Sequence, residues 1–237
     1  MLSNWGKLDP SSILQVLYNY PPLLRCILHK VYLYVSRHNI PIILRLSSGT
    51  VLTFLTTFCS CKGRSKDALE SAGEEIKARG GQAIPIIMDH SKDEEVEELF
   101  NRINREQNGK LDLVVNNAYA GVHTIMEAMG KKFWETDAAG TWDSINNVGL
   151  RNHYLCTVHA SRMMVPRKSG LIVNVSSPGG LVYLFNVAYG VGKAACDRMA
   201  ADCGTELKKH NVTMISLWPG AVETEMIKTH VLGMKTY

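Results

Sequence analysis

A tyrosine and a lysine four residues apart, Tyr189 and Lys193, stand near the start of a predicted helix. Four residues are about one helical turn, so both side chains are expected on the same face. Two serines, Ser176 and Ser177, end the apolar run that precedes this helix. An ammonium group beside a phenol favours the phenolate, and a serine hydroxyl could point into the same cleft. These residue types predict a proton-transfer site at a carbonyl or an alcohol.

The acidity of Tyr189 is central to this prediction. A free tyrosine has a pKa near 10, so its phenol must become more acidic to act as a base near neutral pH. The Lys193 ammonium, together with a cationic cofactor ring, is the perturbation expected to lower that pKa. The spacing of Tyr189 from the two serines makes the pattern more specific than Tyr-x-x-x-Lys alone. The alternative is a surface tyrosine and lysine on an amphipathic helix.

Predicted helices alternate with short apolar strands from Gly63 onward. Ser65 is expected to begin a helix, and Ser91-x-x-Glu94 is expected to form a capping box at the start of the next one. The predicted strands are Ala83–Met88, Leu111–Val115, Leu171–Val175 and Val212–Leu217, and the later helices are Thr141–Val165 and Ala188–His210. Continuous apolar strands with helical crossovers predict a Rossmann-like, doubly wound parallel α/β sheet with helices on both faces.

Polar residues follow each of these predicted strands. They are Asp89, Asn116-Asn117, Ser176-Ser177 and Pro219-Gly220. Ligands of open parallel sheets bind beyond the carboxyl ends of the strands, so this edge is the predicted site. Taken singly, Asp89 could instead cap a turn and Asn116-Asn117 could simply end a strand.

The composition excludes several classes of protein. The 237 residues suit one domain with a substantial core, and 46% of them are hydrophobic. Residues 1–62 carry six Lys/Arg and one Asp, whereas the remainder is nearly balanced in charge. No basic surface across the domain is therefore expected, and nucleic acid is not a predicted partner.

The six cysteines indicate a reducing compartment. They form neither a Cys-x-x-Cys pair nor a zinc spacing with the histidines, so no metal site is predicted. Residues 1–10 lack the pattern of a secretory signal, which favours an intracellular location, in the cytoplasm or at the endoplasmic reticulum membrane surface. The longest uncharged stretch, Leu46–Cys61, is shorter than the roughly 20 residues that span a bilayer. Membrane-surface attachment by the basic, apolar N-terminal segment stays open as an alternative.

Four short motifs together resemble those of the short-chain dehydrogenase/reductase family. They are Asn116-Asn117-Ala118, with Tyr119 where the family usually has glycine, Ser176-Ser177, Tyr189-x-x-x-Lys193, and Pro219-Gly220-x-Val222-x-Thr224. The resemblance covers about Gly63 to Lys228. It implies an NAD(P)(H)-dependent oxidoreductase that interconverts a small-molecule carbonyl and an alcohol. The resemblance is also compatible with a homo-oligomer.

The resemblance implies a role for each matching residue. Tyr189 is the general acid/base, and Lys193 lowers its pKa and binds the nicotinamide ribose. A serine orients the carbonyl; Ser177 is favoured by its place in the motif, although the count back from Tyr189 fits Ser176 equally well. Arg64 follows the expected second strand and suits a 2′-phosphate, which favours NADP(H) over NAD(H). The other cofactor-binding residues implied are Asp89 and Asn116 beside the adenine, and Gly220, Val222 and Thr224 at the nicotinamide end.

The sequence departs from the family pattern in three places. The helix-borne catalytic Asn is expected seven residues after Trp142, where this chain has Gly149; Asn146 and Asn147 are the nearest substitutes. The chain ends at Tyr237, before the last strand and helix expected to close the substrate pocket. No glycine-rich phosphate loop is recognisable in residues 1–62, where Ser47-Ser48-Gly49-Thr50 is the nearest imitation.

These departures divide the chain into two predicted parts. Residues 1–62 form an atypical segment in which Ile42–Leu46 and Val51–Phe58 could each be a strand, and residues 63–237 form a partial dehydrogenase/reductase domain. Loss of the first strand is expected to remove the pyrophosphate site and the middle of the sheet. The alternative function is therefore a catalytically inactive or mis-spliced variant that acts through protein or membrane contacts.

Overall fold

The computed structural model describes residues 42–47, 50–58, 65–78 and 81–219. Six strands of this part of the chain form one sheet, in the order β3-β2-β1-β4-β5-β6. They are β1 (Ile42–Ser47), β2 (Thr50–Phe58), β3 (Gln82–Met88), β4 (Leu113–Asn116), β5 (Gly170–Val175) and β6 (Val212–Leu217). All six belong to the compact unit Ile40–Leu217.

Six α-helices connect the strands within the described residues. They are α1 (Ser65–Ala78), α2 (Asp93–Glu106), α3 (Val122–Glu127), α4 (Ala138–Asn146), α5 (His153–Arg167) and α6 (Val187–Leu207). A π-helical turn, Asn147–Asn152, joins α4 directly to α5, so the long helix predicted over 141–165 is one helical run with a widened turn in its middle. The predicted Rossmann-like α/β fold is confirmed, including the strand and helix assignments after Gly63.

The middle of the sheet differs from the prediction. A strand does occupy it, because β1 lies between β2 and β4. However, β1 runs antiparallel to both neighbours, whereas β2, β4 and the outer strands all run in one direction. Ser47 pairs with Thr50, and so short a connection permits a hairpin but no parallel crossover.

The reversal of β1 decides which edge its connection faces. Ile42, at the start of β1, pairs with Val115 near the carboxyl end of β4. Ser47, at the other end of β1, therefore lies at the edge opposite Asn116 and Ser176. The connection from β1 to β2 therefore leaves the sheet at the edge away from the predicted site, and β2 runs back toward that site. The predicted division of the chain at residues 62/63 stays a prediction, although the compact unit begins earlier.

The hydrophobic core packs the helices against strands β4, β5 and β6. The apolar positions of α2, from Val96 to Ile103, are buried as their helical spacing predicts. They belong to one cluster with Met164 of α5, Ile172 of β5 and Met214 of β6. This cluster fixes α5 and the end of α6 against β4, β5 and β6, the elements that carry the site.

The start of α2 corrects one prediction. The capping residue is Lys92, which makes no side-chain capping bond, so Ser91 and Glu94 do not form a capping box. Ser91 instead donates its N–H to Asp89 Oδ1 over 2.9 Å, and Glu95 Oε2 accepts the Asp89 N–H at 2.6 Å. The carboxylate of Asp89 thus ends β3 in a tight turn that leads into the helix. None of the described helices has both the length and the apolar character needed to cross a membrane.

Candidate active site

Tyr189 and Lys193 lie on one face of α6, in its first two turns. Asn186 caps this helix, because its Oδ1 accepts the Tyr189 N–H at 2.9 Å. Both side chains are buried: 9% of Tyr189 and 7% of Lys193 is exposed. The surface pair on an amphipathic helix is therefore not what the structure contains.

Two hydrogen bonds hold α6 to the end of β5. The Lys193 ammonium donates to the Val175 carbonyl over 3.0 Å. The Ser176 hydroxyl donates to the Lys193 carbonyl over 3.1 Å. Ser176 is buried, and its hydroxyl serves the backbone of α6 in this arrangement.

Ser177 has a different environment from its neighbour. Its hydroxyl lies beside the Tyr189 phenol, whose pKa it lowers, and it accepts the Gly179 N–H at 3.1 Å. Gly179 also approaches Tyr189 closely, since a β-carbon at Gly179 would lie 2.5 Å from Tyr189 Cε1. The structure therefore brings Ser177, rather than Ser176, to the phenol.

The electrostatics of Tyr189 differ from the expectation. Burial raises the pKa of Tyr189, and the Ser177 hydroxyl opposes that rise. Lys193 Nζ lies 5.9 Å from the centre of the Tyr189 ring, and burial lowers the pKa of Lys193 itself. The lowering of the Tyr189 pKa expected from Lys193 together with a cationic cofactor ring stays a prediction, because desolvation sets the direction of the shift in the protein alone.

The two residues assigned to the adenine are engaged with protein groups. Asn116 Nδ2 donates to Asn174 Oδ1 over 2.7 Å and to Thr157 Oγ1 over 3.1 Å, so its side chain links β4, β5 and α5. Asp89 is partly exposed after β3, where Ser91 Oγ also donates to its Oδ1. Both residues lie at the predicted edge, and their adenine contacts stay predictions. Four assigned residues lie outside the described part of the chain: Arg64, Gly220, Val222 and Thr224.

The nearest candidates for the missing helix-borne Asn are Asn146 and Asn147. Asn146 is buried, and its Nδ2 donates to the Ala188 carbonyl at the start of α6 over 3.2 Å. Its Oδ1 occupies the space that a β-carbon would need at Gly192. Asn146 thus reaches the helix of Tyr189, but its side chain donates to the backbone of Ala188 rather than to Lys193.

An aromatic residue that sequence reasoning did not place in the site lies beside Lys193. The Tyr119 ring centre is 4.9 Å from Lys193 Nζ and 6.3 Å from the Tyr189 ring centre, in an edge-on arrangement. A β-carbon at Gly149 would lie 2.6 Å from Tyr119 Cδ2. Tyr119 and Gly149 both depart from the family pattern. Two departures in one sequence are the signal that could have predicted their contact.

A second aromatic residue, Phe185, covers the other side of Tyr189. The two ring centres are 5.1 Å apart and the rings are nearly perpendicular. Phe185 has a φ of +61°, a conformation that bulky residues rarely adopt. No local sequence signal marks a phenylalanine for this conformation.

The histidines of the site region are neutral packing residues. His153 Nε2 donates a hydrogen bond to the Ala118 carbonyl over 3.0 Å, and burial lowers the pKa of His153 to about 3. Burial also lowers the pKa of His90, which contacts Asn152, to about 4. Across the described ranges, no group of three or more His, Cys, Asp or Glu residues is arranged to hold a metal ion.

The site places a phenol, a serine hydroxyl and an ammonium around one edge of a Rossmann-like sheet. Residues 55–234 match the short chain dehydrogenase family, so the chain belongs to this family. It is 56% identical over 169 residues to Dehydrogenase/reductase SDR family member 1 of Homo sapiens, in an alignment covering 71% of this chain and 54% of that protein. The Mus musculus protein of the same name is 57% identical over 166 residues, covering 70% and 53%.

The chain spans about half the length of these curated relatives. Among solved structures it is similar to a metagenomic short-chain oxidoreductase in complex with NADP. That similarity has a TM-score of 0.60 and 26% identity, and it covers 71% of this chain and 70% of the other. The resemblance inferred from the four motifs is confirmed.

The described residues fit one end of a nicotinamide dinucleotide better than the other. An ammonium has three donors, and the hydrogen bond of Lys193 to Val175 leaves two of them for ribose oxygens. The buried Asn117 amide nitrogen, after β4, has no hydrogen-bond partner among the described residues. The pyrophosphate end is different, because within the described residues no helix follows the central strand at this edge.

Proposed function

We propose that this chain is an NADP(H)-dependent oxidoreductase that reduces a small-molecule carbonyl to an alcohol. The observation that carries the proposal is the close approach of the Ser177–Gly179 turn to the Tyr189 ring, which brings the Ser177 hydroxyl beside the phenol. A carbonyl oxygen placed between these two hydroxyls would accept a hydrogen bond from each. Lys193, buried one helical turn away, supplies the positive charge that offsets negative charge on that oxygen.

The proton chemistry favours reduction. Because burial raises the pKa of Tyr189, the phenol is protonated near neutral pH and suits the role of general acid. In the proposed reaction Tyr189 donates its proton to the substrate oxygen, and Ser177 holds that oxygen in place. When bound, the cofactor supplies the hydride. Tyr189 and Lys193 would hold its ribose, and the other residues keep the roles that the resemblance implies.

The preference for NADP(H) over NAD(H) is part of the proposal. Arg64 supports it, because a guanidinium pairs well with a 2′-phosphate. The similar metagenomic oxidoreductase in complex with NADP also supports it. Parallel titrations with NADPH and NADH measure this preference directly.

The test is cofactor titration followed by ketone reduction. The wild-type chain is expected to bind NADPH saturably and to reduce ketones, and a Tyr189→Phe/Lys193→Ala variant is expected to lose both. Tyr183→Phe is the matched control, since Tyr183 is largely exposed and lies on the neighbouring loop. Absence of binding at millimolar NADPH would end the proposal for this chain.

A second candidate function is favoured by the reversed β1. With that strand antiparallel, the carboxyl edge lacks the usual position for a phosphate-binding turn after the central strand. The chain would then be an inactive variant that acts through protein contacts. A peptide from the natural protein that joins a glycine-rich loop to Gly63-Arg64, found by mass spectrometry, would show residues 1–62 to be an artefact.

The remaining proposals concern assembly and location. We propose that a homo-oligomer forms through the outer faces of α5 and α6, which flank a groove of about 1170 Å³ lined by both apolar and charged residues, among them Tyr154, Arg162, Met199 and Asp202. Sedimentation of Tyr154→Glu against wild type tests it; equal masses of the two proteins would contradict it.

An intracellular location is also proposed. Fractionation of a fusion carrying residues 1–62 separates the cytoplasm from the membrane surface.

A further inference from the structure

Tyr119 is enclosed by two glycines that leave room only for its ring. A β-carbon at Gly149 would lie 2.6 and 2.7 Å from Tyr119 Cδ2 and Cε2. A β-carbon at Gly121 would lie 2.7 Å from the Tyr119 hydroxyl oxygen and 2.9 Å from Ile145 Cα. Real β-carbons do not approach other atoms so closely, so either side chain would displace the ring. The ring therefore has a fixed position between α4, the π-helical turn and α6.

The Tyr119 hydroxyl does not explain this arrangement. Its oxygen is buried and has no hydrogen-bond partner among the described residues. Leaving a buried hydroxyl without a partner is destabilising, so the hydroxyl is not what holds Tyr119 in place. Burial raises the pKa of Tyr119, which keeps the side chain a neutral ring.

The ring faces the ammonium of the site. Lys193 Nζ lies 4.9 Å from the Tyr119 ring centre, within the range of a cation–π contact. Among the described residues, the hydrogen bond of this ammonium goes to the Val175 carbonyl. Burial lowers the pKa of Lys193, and Cys196 and the carboxylate of Asp197 oppose that lowering. A ring face is a favourable neighbour for a desolvated cation that has few hydrogen bonds.

We propose that Tyr119 is a positioning residue of the active site, whose ring holds the Lys193 ammonium beside Tyr189, and that Gly149 is required to admit this ring. The inference rests on the proposed function for its catalytic consequence. The contact itself is a property of the folded chain and can be measured without turnover.

The first test follows the titration of Lys193 in protein labelled with ¹³C at the lysine ε-carbon, with the resonance assigned by its absence in Lys193→Arg. Tyr119→Leu removes the ring but keeps an apolar side chain. It is expected to lower the ratio of ammonium to amine at a given pH by roughly 2- to 30-fold. Tyr119→Phe keeps the ring and is expected to retain the wild-type titration. If Tyr119→Leu also titrates like wild type, the proposal is wrong, whether or not the chain is active.

The second test concerns the fit of the ring against Gly149. Gly149→Ala alone is expected to lower the melting temperature, and Tyr119→Ala/Gly149→Ala is expected to lose less than the sum of the two single variants. Additive losses would contradict the requirement for glycine. In active protein, Tyr119→Leu should move the pH profile of ketone reduction while Tyr119→Phe does not. If the wild-type chain is inactive, the proposed function is refuted. The Lys193 titration then still decides whether Tyr119 positions the ammonium.

Discussion

Replacing each of the adjacent serines by alanine separates two roles that sequence alone leaves open. The Ser177 hydroxyl lies beside the Tyr189 phenol and lowers its pKa, whereas Ser176 donates to the Lys193 carbonyl over 3.1 Å. Both are buried and differ by one position. Ser177→Ala is therefore expected to act on the chemistry, and Ser176→Ala on the attachment of α6 to β5.

The magnitudes follow from the kind of hydrogen bond that is lost. In the proposed reaction Ser177 donates a hydrogen bond to a substrate oxygen that gains negative charge. A hydrogen bond to a charged group contributes about 1.5–3 kcal/mol, so Ser177→Ala is expected to reduce kcat/KM for ketone reduction roughly 10- to 100-fold. A neutral hydrogen bond contributes about 1 kcal/mol, so Ser176→Ala is expected to lower the melting temperature by roughly 2–4 °C.

The pH dependence has a definite sign. In reduction the protonated phenol is the active form, so the rate falls at high pH as Tyr189 ionises. The Ser177 hydroxyl lowers the pKa of Tyr189, so its removal is expected to raise that pKa. The falling limb of the pH profile is therefore expected at higher pH in Ser177→Ala and at its original place in Ser176→Ala.

The assay is steady-state reduction of a ketone by NADPH between neutral and alkaline pH, with ¹³C NMR of labelled tyrosine as a measurement independent of turnover. The Tyr189 resonance is assigned by its absence in Tyr189→Phe. If Ser176→Ala moves the titration of Tyr189 and Ser177→Ala does not, the assignment of Ser177 to the phenol is refuted.

Two further predictions concern packing and burial. Gly179→Ala is expected to destabilise the site, because its β-carbon would lie 2.5 Å from Tyr189 Cε1. The control is Gly73→Ala in α1, where the nearest neighbour is 3.7 Å away and the change is expected to be neutral or stabilising. Equal melting temperatures of the two variants would contradict this prediction. His153 and His90, with pKa values lowered to about 3 and about 4, stay neutral when folded while the unfolded chain binds protons below about pH 6.5. Stability is therefore complete above that pH and falls toward pH 4, by about 1 kcal/mol per pH unit for each histidine. Urea unfolding at pH 7 and pH 5 measures it, and a slope that His153→Gln leaves unchanged would contradict the role of His153.

The elements after Gly63 were predictable because their signals are local. The apolar spacing of α2 and the continuous apolar strands describe burial one element at a time, and burial follows them. The common face of Tyr189 and Lys193 is equally local, since one helical turn fixes it. Asn116 shows the limit of this reasoning. Its position after β4 was foreseen, but its contacts with Thr157 and Asn174 depend on how α5 packs against the sheet.

The features that could not be predicted all depend on contacts between distant segments. The choice between Ser176 and Ser177 depends on which hydroxyl meets the backbone of α6 and which meets the Tyr189 phenol after β5 ends. The direction of the Tyr189 pKa shift depends on how far the phenol is desolvated, which no spacing reveals. The contact of Tyr119 with Gly149 joins positions in separate elements, and each looked like an isolated departure until the fold brought them together.

The two halves of the proposed reaction depend on different parts of the sheet. The residues of the proton-transfer site follow β4 and β5 or lie on α6: Tyr119 follows β4, Ser177 follows β5, and Tyr189 and Lys193 lie on α6. Their contacts with one another do not involve β1. The pyrophosphate of a dinucleotide would need the carboxyl edge near β1, where the strand runs in the opposite direction. The proton-transfer site can therefore be complete while cofactor affinity is weak. A chain of this kind would show normal titrations of Tyr189 and Lys193 together with a high Kd for NADPH, and those two measurements distinguish a damaged cofactor site from a damaged catalytic one.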